Sequence, residues 1–262
     1  MMTTWILLRG LTRERRHWGD FLDQFRQALP EHTFLALDLP GNGLLNHLPS
    51  PINVSDMVES CRAQLVLRGI EPPFHVLAMS LGAMVAVAWA QTYPQEVRAN
   101  VLINTSMRPF SPFYQRLRPT NYAVLLRLAL AGASPAMWEL RILHMTSNQC
   151  DKSVLPRWLA LRHANPVSRR NAFRQLLAAA RFQAPEGQPL TPTLLLASEC
   201  DHLVSVESSR AIARHWQCAL RVHPSAGHDI PLDDGHWVAL QVRDWLFHCQ
   251  INTICCCFAL SC

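Results

Sequence analysis

The chain reads Val76-Leu77-Ala78-Met79-Ser80-Leu81-Gly82-Ala83-Met84 where an apolar run changes into a helical pattern. The run Phe74 to Met79 predicts a short buried strand, and Ala83 to Ala90 predicts a helix. Ser80 stands at the sharp turn between them, which would push its hydroxyl out of the strand end and direct the Leu81 N–H toward the same point. Since a serine before a helix is also an ordinary N-cap, this stretch needs support from the rest of the chain.

Apolar runs alternate with helical patterns on both sides of this stretch. The predicted strands are Trp5–Leu8, Thr33–Leu37, Phe74–Met79, Val97–Ile103, Thr193–Ala197 and Ala219–His223. One of the helical patterns between them spans Glu14 to Leu29. The alternation predicts an α/β fold, with a mostly parallel sheet of about six strands and helices on both faces. Because ligands bind at the carboxyl ends of such strands, Gly10, Gly41, Ser80 and Asn104 should share one edge.

The alternation stops between residues 107 and 188, which form several helical patterns after a proline-rich start. We call residues 107–188 the cap segment, because it is predicted to be a helical insertion over the strand ends. Residues 1–106 and 189–247 then form the two parts of the core. Residues 248–262 form a Cys-rich tail without an assigned function.

The positive charge of the chain is concentrated in the cap segment. Its twelve basic and three acidic residues give it a net charge of +9, whereas the whole chain carries +5. Arg118, Arg127 or Arg162 could face the site and bind an anionic substrate. Alternatively, these arginines face water on amphipathic helices. The large apolar side chains of the segment are expected mainly to pack against the core, with a minority lining an acyl pocket, namely Leu125, Leu126, Trp138, Trp158 and Phe173.

Composition excludes several classes of protein. A hydrophobic content of 49% with 16% charged residues indicates a globular core rather than disorder. No apolar run approaches the roughly 18 residues of a membrane span, and no secretory signal is recognisable, so a cytoplasmic protein is expected. Basic residues do not alternate with aromatics in a block, which argues against nucleic-acid binding. The nine cysteines lack zinc-site spacing, so no metal site is predicted.

Ser80, Asp201 and His228 are the residue types that nucleophilic catalysis requires, and each follows a predicted strand. A serine hydroxyl is a weak nucleophile at neutral pH and needs a base, for which histidine is suited. The histidine in turn needs a carboxylate that fixes its tautomer. Taken alone, Asp201 could be a turn aspartate and His228 a surface histidine. Together, in this order, they predict a catalytic triad.

These motifs resemble those of the α/β-hydrolase superfamily, of the capped single-domain sort, over residues 5 to 247. The matching segments are Arg9-Gly10-Leu11, Asp38-Leu39-Pro40-Gly41-Asn42-Gly43, Ala78-Met79-Ser80-Leu81-Gly82, Asp201-His202-Leu203-Val204 and Gly227-His228. The resemblance implies the α/β-hydrolase fold and a serine-linked acyl intermediate. It also implies an oxyanion hole formed by the backbone N–H groups of Leu11 and Leu81.

The chain departs from the family pattern in three places. Arg9 precedes Gly10 where the family usually has histidine, so Arg9 either binds a substrate anion or forms a structural ion pair. The chain starts near the third strand of typical members. Ala78 and Ala83 stand where glycine is common. Ser80 excludes the dehalogenases and epoxide hydrolases of this fold, whose nucleophile is aspartate.

The resemblance implies a carboxylesterase-like serine hydrolase that cleaves a small-molecule ester without a metal or organic cofactor. A thioesterase, or a lyase similar to the menaquinone-pathway synthase acting on an anionic substrate, would use the same triad. A catalytically silent binding protein of the same fold is the alternative from another class. The oligomeric state is not predicted.

Overall fold

The computed structural model describes residues 3–130, 132–149 and 153–259, with the backbone alone at 128–130 and 249–259. The strands are β1 Thr4–Leu8, β2 Thr33–Leu37, β3 Phe74–Met79, β4 Val97–Ile103, β5 Thr193–Ser198 and β6 Ala219–His223. They form one sheet in the order β2-β1-β3-β4-β5-β6, and each neighbouring pair is parallel. The predicted α/β fold with a six-stranded parallel sheet is confirmed.

Helices separate and follow the strands, as the sequence pattern indicates. They are α1 Phe21–Ala28, α2 Val54–Val66, α3 Leu81–Thr92, α4 Phe113–Arg116, α5 Thr120–Leu130, α6 Pro135–Thr146, α7 Val154–Ala164, α8 Arg169–Arg181, α9 Val206–Trp216 and α10 Ile230–Ala259. Helices α4 to α8 lie in the cap segment, and α10 is kinked at Asp234. The tail from residue 248 begins within α10, and residues 260–262 lie outside the described residues.

The core consists of two apolar layers, one on each face of the sheet. In β3, Val76 and Ala78 belong to the layer that contains residues of α2, α3 and α9, whereas Leu77 and Met79 belong to the layer of α1 and α10. Successive side chains of a strand point to opposite faces, so a strand covered on both sides is largely apolar. All six residues of β3 are buried, and all of them except His75 are apolar.

The helix predicted for Glu14 to Leu29 is broken in the structure. A short 3₁₀ turn spans Arg15–Trp18, and α1 begins at Phe21. Between them, Gly19 has a φ of +53°, a left-handed conformation that glycine adopts without the steric cost of a side chain. The apolar period continues through the break because Trp18, Phe21 and Phe25 face the same core layer.

The cap segment packs on the core through fewer apolar side chains than its sequence suggests. Trp158 is buried as expected. Leu126 and Phe173, however, are 59% and 66% exposed, so their expected packing against the core is wrong. Helical periodicity identifies one apolar face of a helix but does not show what covers it. Among the described residues, no helix combines the length and the hydropathy needed to span a bilayer.

Candidate active site

Ser80 lies at the tight connection between β3 and α3. Its φ of +53° and ψ of −115° are uncommon for a residue with a side chain, and its N–H donates to the carbonyl of Ile103 on β4 at 3.0 Å. Thr105 Oγ1 donates to the Ser80 carbonyl at 3.2 Å. These bonds hold the turn, and Ser80 stays partly exposed between buried neighbours.

Gly82 permits the sharp turn because α3 passes very close to the end of β1. A Cβ placed on Gly82 would lie 2.6 Å from the Leu8 carbonyl oxygen and 2.7 Å from that of Arg9. Both atoms belong to the backbone and cannot rotate away. The sequence therefore needs glycine here, whereas the neighbouring Ala78 and Ala83 keep their side chains and are fully buried.

The loop after β1 lies directly beside Ser80. A Cβ on Gly10 would lie 3.1 Å from Ser80 Cβ and 3.6 Å from Ser80 Oγ. Within the described parts of the chain, the backbone N–H groups of Leu11 and Leu81 donate to no protein acceptor. The Leu81 amide directly follows Ser80, and the Leu11 amide follows Gly10, which lies against Ser80.

Asp201 and His228 form a buried hydrogen-bonded pair. His228 Nδ1 lies 2.7 Å from Asp201 Oδ2, and the two residues are 3% and 1% exposed. Asp201 Oδ1 accepts from the N–H groups of Leu203 and Val204 at 2.7 and 2.9 Å. Because an ionised carboxylate only accepts, Nδ1 is the donor in this bond, which leaves Nε2 free of Asp201.

The structure joins Asp201 to His228 and places Gly10 against Ser80. In the described residues, no hydrogen bond joins Ser80 to His228. Catalytic hydrogen bonds are often long or poorly aligned without substrate and tighten when it binds. The serine and the histidine–aspartate pair lie in loops at the same end of the parallel sheet, as the sequence pattern indicates.

The loop that carries His228 is fixed from two sides. Asn104 Nδ2 donates to the His228 carbonyl at 2.7 Å, and Asn104 Oδ1 accepts from the Ser198 N–H at 3.0 Å. Asp233 accepts from the Gly227 N–H at 2.7 Å and from Ser147 Oγ at 2.5 Å. Asn104 was expected at this edge of the sheet without a role, and no pattern in the sequence indicated Asp233.

Arg9 forms a buried ion pair with Asp229. Its Nη1 and Nη2 donate to Oδ1 and Oδ2 of Asp229 at 3.1 and 2.5 Å, and its guanidinium lies 4.8 Å from the Trp18 ring centroid. Arg9 and Asp229 are both 2% exposed. The geometry favours the structural ion pair over substrate binding, because both terminal nitrogens of Arg9 are occupied.

A second buried ion cluster joins the loop after β1 to the cap segment. Glu139 on α6 accepts from Arg13 Nη1 at 2.7 Å and from Arg162 Nη1 at 2.9 Å. The Arg13 guanidinium also lies 4.1 Å from the Trp158 ring centroid. Burial lowers the pKa of Arg13, and the Glu139 carboxylate offsets part of that shift. Arg162 is thus paired, and Arg127 is exposed.

A cavity of about 200 Å³ lies beside this cluster. Its lining includes Trp18, Arg157, Trp158 and Asp233, but neither Ser80 nor His228. Burial, followed by the charges of Arg13 and Arg9, sets the pKa of His17 on its wall well below the usual value. His17 is therefore neutral at pH 7 and is a hydrogen-bonding partner of Arg13.

Similar proteins and solved structures agree with the fold and motifs described above. A family model described as "Alpha/beta hydrolase family" matches residues 5–241. A pimeloyl-[acyl-carrier protein] methyl ester esterase from Xylella fastidiosa (strain M12) is 27% identical over 233 residues, covering 81% of this chain and 84% of that protein.

Two solved structures are similar in fold. An esterase from Thermogutta terrifontis has a TM-score of 0.70 and 22% identity, covering 94% of this chain and 90% of its own. A 2-hydroxy-6-oxo-6-phenylhexa-2,4-dienoate hydrolase from Rhodococcus sp. strain RHA1 has a TM-score of 0.74 and 18% identity, covering 93% and 90%. The chain belongs to the alpha/beta hydrolase family.

Proposed function

We propose that this protein is a serine hydrolase that cleaves a carboxylic ester through Ser80, His228 and Asp201. The observation that carries the proposal is the buried 2.7 Å bond between His228 Nδ1 and Asp201, formed at the sheet edge where Ser80 occupies its strained turn. The relatives named as pimeloyl-[acyl-carrier protein] methyl ester esterases support an ester as the substrate class. A methyl ester of a carrier-bound acyl chain is the first specific candidate.

The proposed reaction has two acyl-transfer steps. His228 Nε2 takes the proton of the Ser80 hydroxyl while Oγ bonds to the carbonyl carbon of the ester. The carbonyl oxygen becomes an oxyanion, which the Leu11 and Leu81 N–H groups stabilise. The C–O bond to the alcohol then breaks, and the alcohol leaves with the proton from Nε2. Water repeats the sequence on the acyl-serine, which releases the carboxylic acid and restores Ser80.

The test is intact-mass measurement after exposure to a fluorophosphonate probe, on the wild type and on Ser80→Ala. One adduct on the wild type and none on the variant is expected, because only an activated serine reacts. Hydrolysis of p-nitrophenyl butyrate without turnover of an acyl-CoA would favour the esterase over the thioesterase. A folded wild type that forms no adduct would contradict the proposal and favour a binding protein.

A further inference from the structure

Gln175 on α8 of the cap segment bonds directly to the loop that contains Leu11. Its Oε1 accepts from the backbone N–H of Thr12 at 2.8 Å. Its Nε2 donates to Asn42 Oδ1 at 2.8 Å and to Ser50 Oγ at 3.0 Å. Gln175 is fully buried at 0% exposure. One side chain thus bonds to three residues in two loops, each more than a hundred positions away in sequence.

These bonds fix the orientation of the Gln175 amide. The oxygen must face the Thr12 N–H, because the two partners on the other side, the Asn42 carbonyl oxygen and the Ser50 hydroxyl, accept from the nitrogen. Ser50 Oγ itself donates to the Pro40 carbonyl at 2.7 Å, so it is an acceptor toward Gln175. Asn42 Nδ2 donates to the Arg13 carbonyl at 3.0 Å, which leaves its oxygen for Gln175. The network has one consistent arrangement of donors and acceptors.

The bonds matter for the oxyanion hole because Thr12 directly follows Leu11. Thr12 has a φ of +58°, which is uncommon for a residue with a branched side chain and must be held by its surroundings. Bonds on both sides hold it, with the Thr12 N–H tied to Gln175 and the Arg13 carbonyl tied to Asn42. An oxyanion donor acts only when it is aimed in advance, so the conformation of residues 10–13 sets its effect.

We propose that Gln175 is a positioning residue, which holds the Leu11 N–H in the orientation that stabilises the oxyanion. This inference rests on the proposed serine-hydrolase function. It adds a role for the cap segment in the rate of the reaction, separate from any role in selecting the substrate.

The test replaces Gln175 with methionine, which has a similar length but cannot accept from Thr12. We expect kcat for p-nitrophenyl butyrate to fall by about ten- to a hundredfold with KM changed less than threefold, because an oxyanion donor acts in the transition state. The affinity for an alkyl boronic acid, whose tetrahedral adduct places an oxygen in the hole, should fall by a similar factor. A merely structural role would not produce this division between kcat and KM.

Asn171 provides a matched control one helical turn earlier on α8. Its side chain accepts from the Ser50 N–H at 2.9 Å and donates to the Leu48 carbonyl at 3.0 Å, without a bond to the loop after β1. Asn171→Leu should lower the melting temperature while kcat stays within threefold of the wild type. Equal losses of kcat in the two variants, or an unchanged kcat in Gln175→Met, would overturn the proposal.

A measurement on the wild type covers the case in which Gln175→Met does not fold. Amide hydrogen exchange followed by NMR should show the Thr12 N–H protected at least tenfold more than the Leu11 N–H, because only the former has a buried acceptor. Equal exchange at the two amides would refute the inference. Failure of the wild type to react with the fluorophosphonate probe would instead refute the serine-hydrolase function itself, so the two failures are distinguishable.

Discussion

Arg9, the residue before Gly10, donates two buried hydrogen bonds to Asp229, the residue after His228. The pair thereby joins the loop of the proposed oxyanion donors to the loop of the proposed base. The two residues are 220 positions apart in the chain. Movement of one loop relative to the other must therefore break this buried ion pair.

Removal of one member of this pair should strongly destabilise the fold. Arg9→Met leaves Asp229 as a buried carboxylate without its partner, which costs about 3–5 kcal/mol in comparable pairs. The double variant Arg9→Met/Asp229→Asn should recover part of that loss, because no unpaired charge remains. Urea unfolding of the wild type, both single variants and the double variant measures the coupling.

The control for this cycle is the exposed pair of Arg243 and Asp244, whose side chains are 51% and 58% exposed. Arg243→Met should change the free energy of unfolding by no more than about 0.5 kcal/mol. A similarly small change in Arg9→Met would show that the pair does not hold the two loops together.

Asp201→Asn should abolish most activity while the fold persists. The amide nitrogen of asparagine cannot accept from His228 Nδ1, so the ring would adopt the tautomer that protonates Nε2 and lose its function as a base. We expect kcat for p-nitrophenyl butyrate to fall by about 10³–10⁴-fold. Asp234→Asn is a matched control, because Asp234 pairs with a different histidine, His223, at 3.2 Å and is 40% exposed. Comparable losses in both variants would argue against a special role for Asp201.

Gly82→Ala should destabilise the protein and lower activity together. The added Cβ would lie within 2.7 Å of the carbonyl oxygens of Leu8 and Arg9, so α3 and the end of β1 must separate. We expect a loss of about 1–3 kcal/mol in the free energy of unfolding, measured by urea titration. Gly187→Ala has no heavy atom within 4 Å of the new Cβ and should be nearly neutral. Equal stability of the two variants would contradict the close approach.

Glu139→Gln should loosen the attachment of the cap segment. Glu139 is 2% exposed and pairs with both Arg13 and Arg162, so the variant leaves the buried Arg13 without a carboxylate partner. We expect a loss of about 3 kcal/mol and faster limited proteolysis within the cap segment. Glu186→Gln, at an exposed position of the same segment, is the control. A proteolysis rate that is the same in the two variants would exclude this role for Glu139.

Stability should fall in mild acid because of His75. Burial, together with the charges of His32 and Arg98, lowers the pKa of His75 to about 4 in the folded protein, from 6.5 when unfolded. Between these values the unfolded chain binds a proton that the folded protein does not, so the free energy of unfolding decreases as the pH falls from 6.5 toward 4, by about 3 kcal/mol in total. Urea unfolding at pH 7 and pH 5 measures the slope.

His75→Phe should flatten the dependence of stability on pH, because phenylalanine does not titrate. Within the described residues the buried Nδ1 of His75 has no hydrogen-bond partner, so the substitution breaks no bond there. The ring packs edge-on against Trp5 at 4.8 Å between centroids, a contact that phenylalanine can retain. An unchanged slope in the variant would assign the acid sensitivity to other groups.

The bounds of the central strands were predictable because a strand buried on both faces is a largely apolar run, as in Phe74–Met79. Ser80, Asp201 and His228 could be proposed from sequence because Ser80 directly follows β3, and Asp201 and His228 lie in the loops that follow β5 and β6. The roles of Gln175 and Asp229 could not be predicted, because their partners lie 163 and 220 residues away and no local sequence pattern indicates these contacts. The exposure of Leu126 and Phe173 was mispredicted for a similar reason. It depends on which helix faces pack against the core, and helical periodicity does not determine that.

The polar bonds from Gln175, Asn171 and Glu139 to the loops after β1 and β2 bear on protein engineering. A chimera that exchanges residues 107–188 for the corresponding insertion of another hydrolase would remove all three side chains at once. Such a graft would break these bonds to the core, unless residues 9–13 and 42–50 were transplanted with it. In this protein the smallest transferable unit is therefore the insertion together with those two loops.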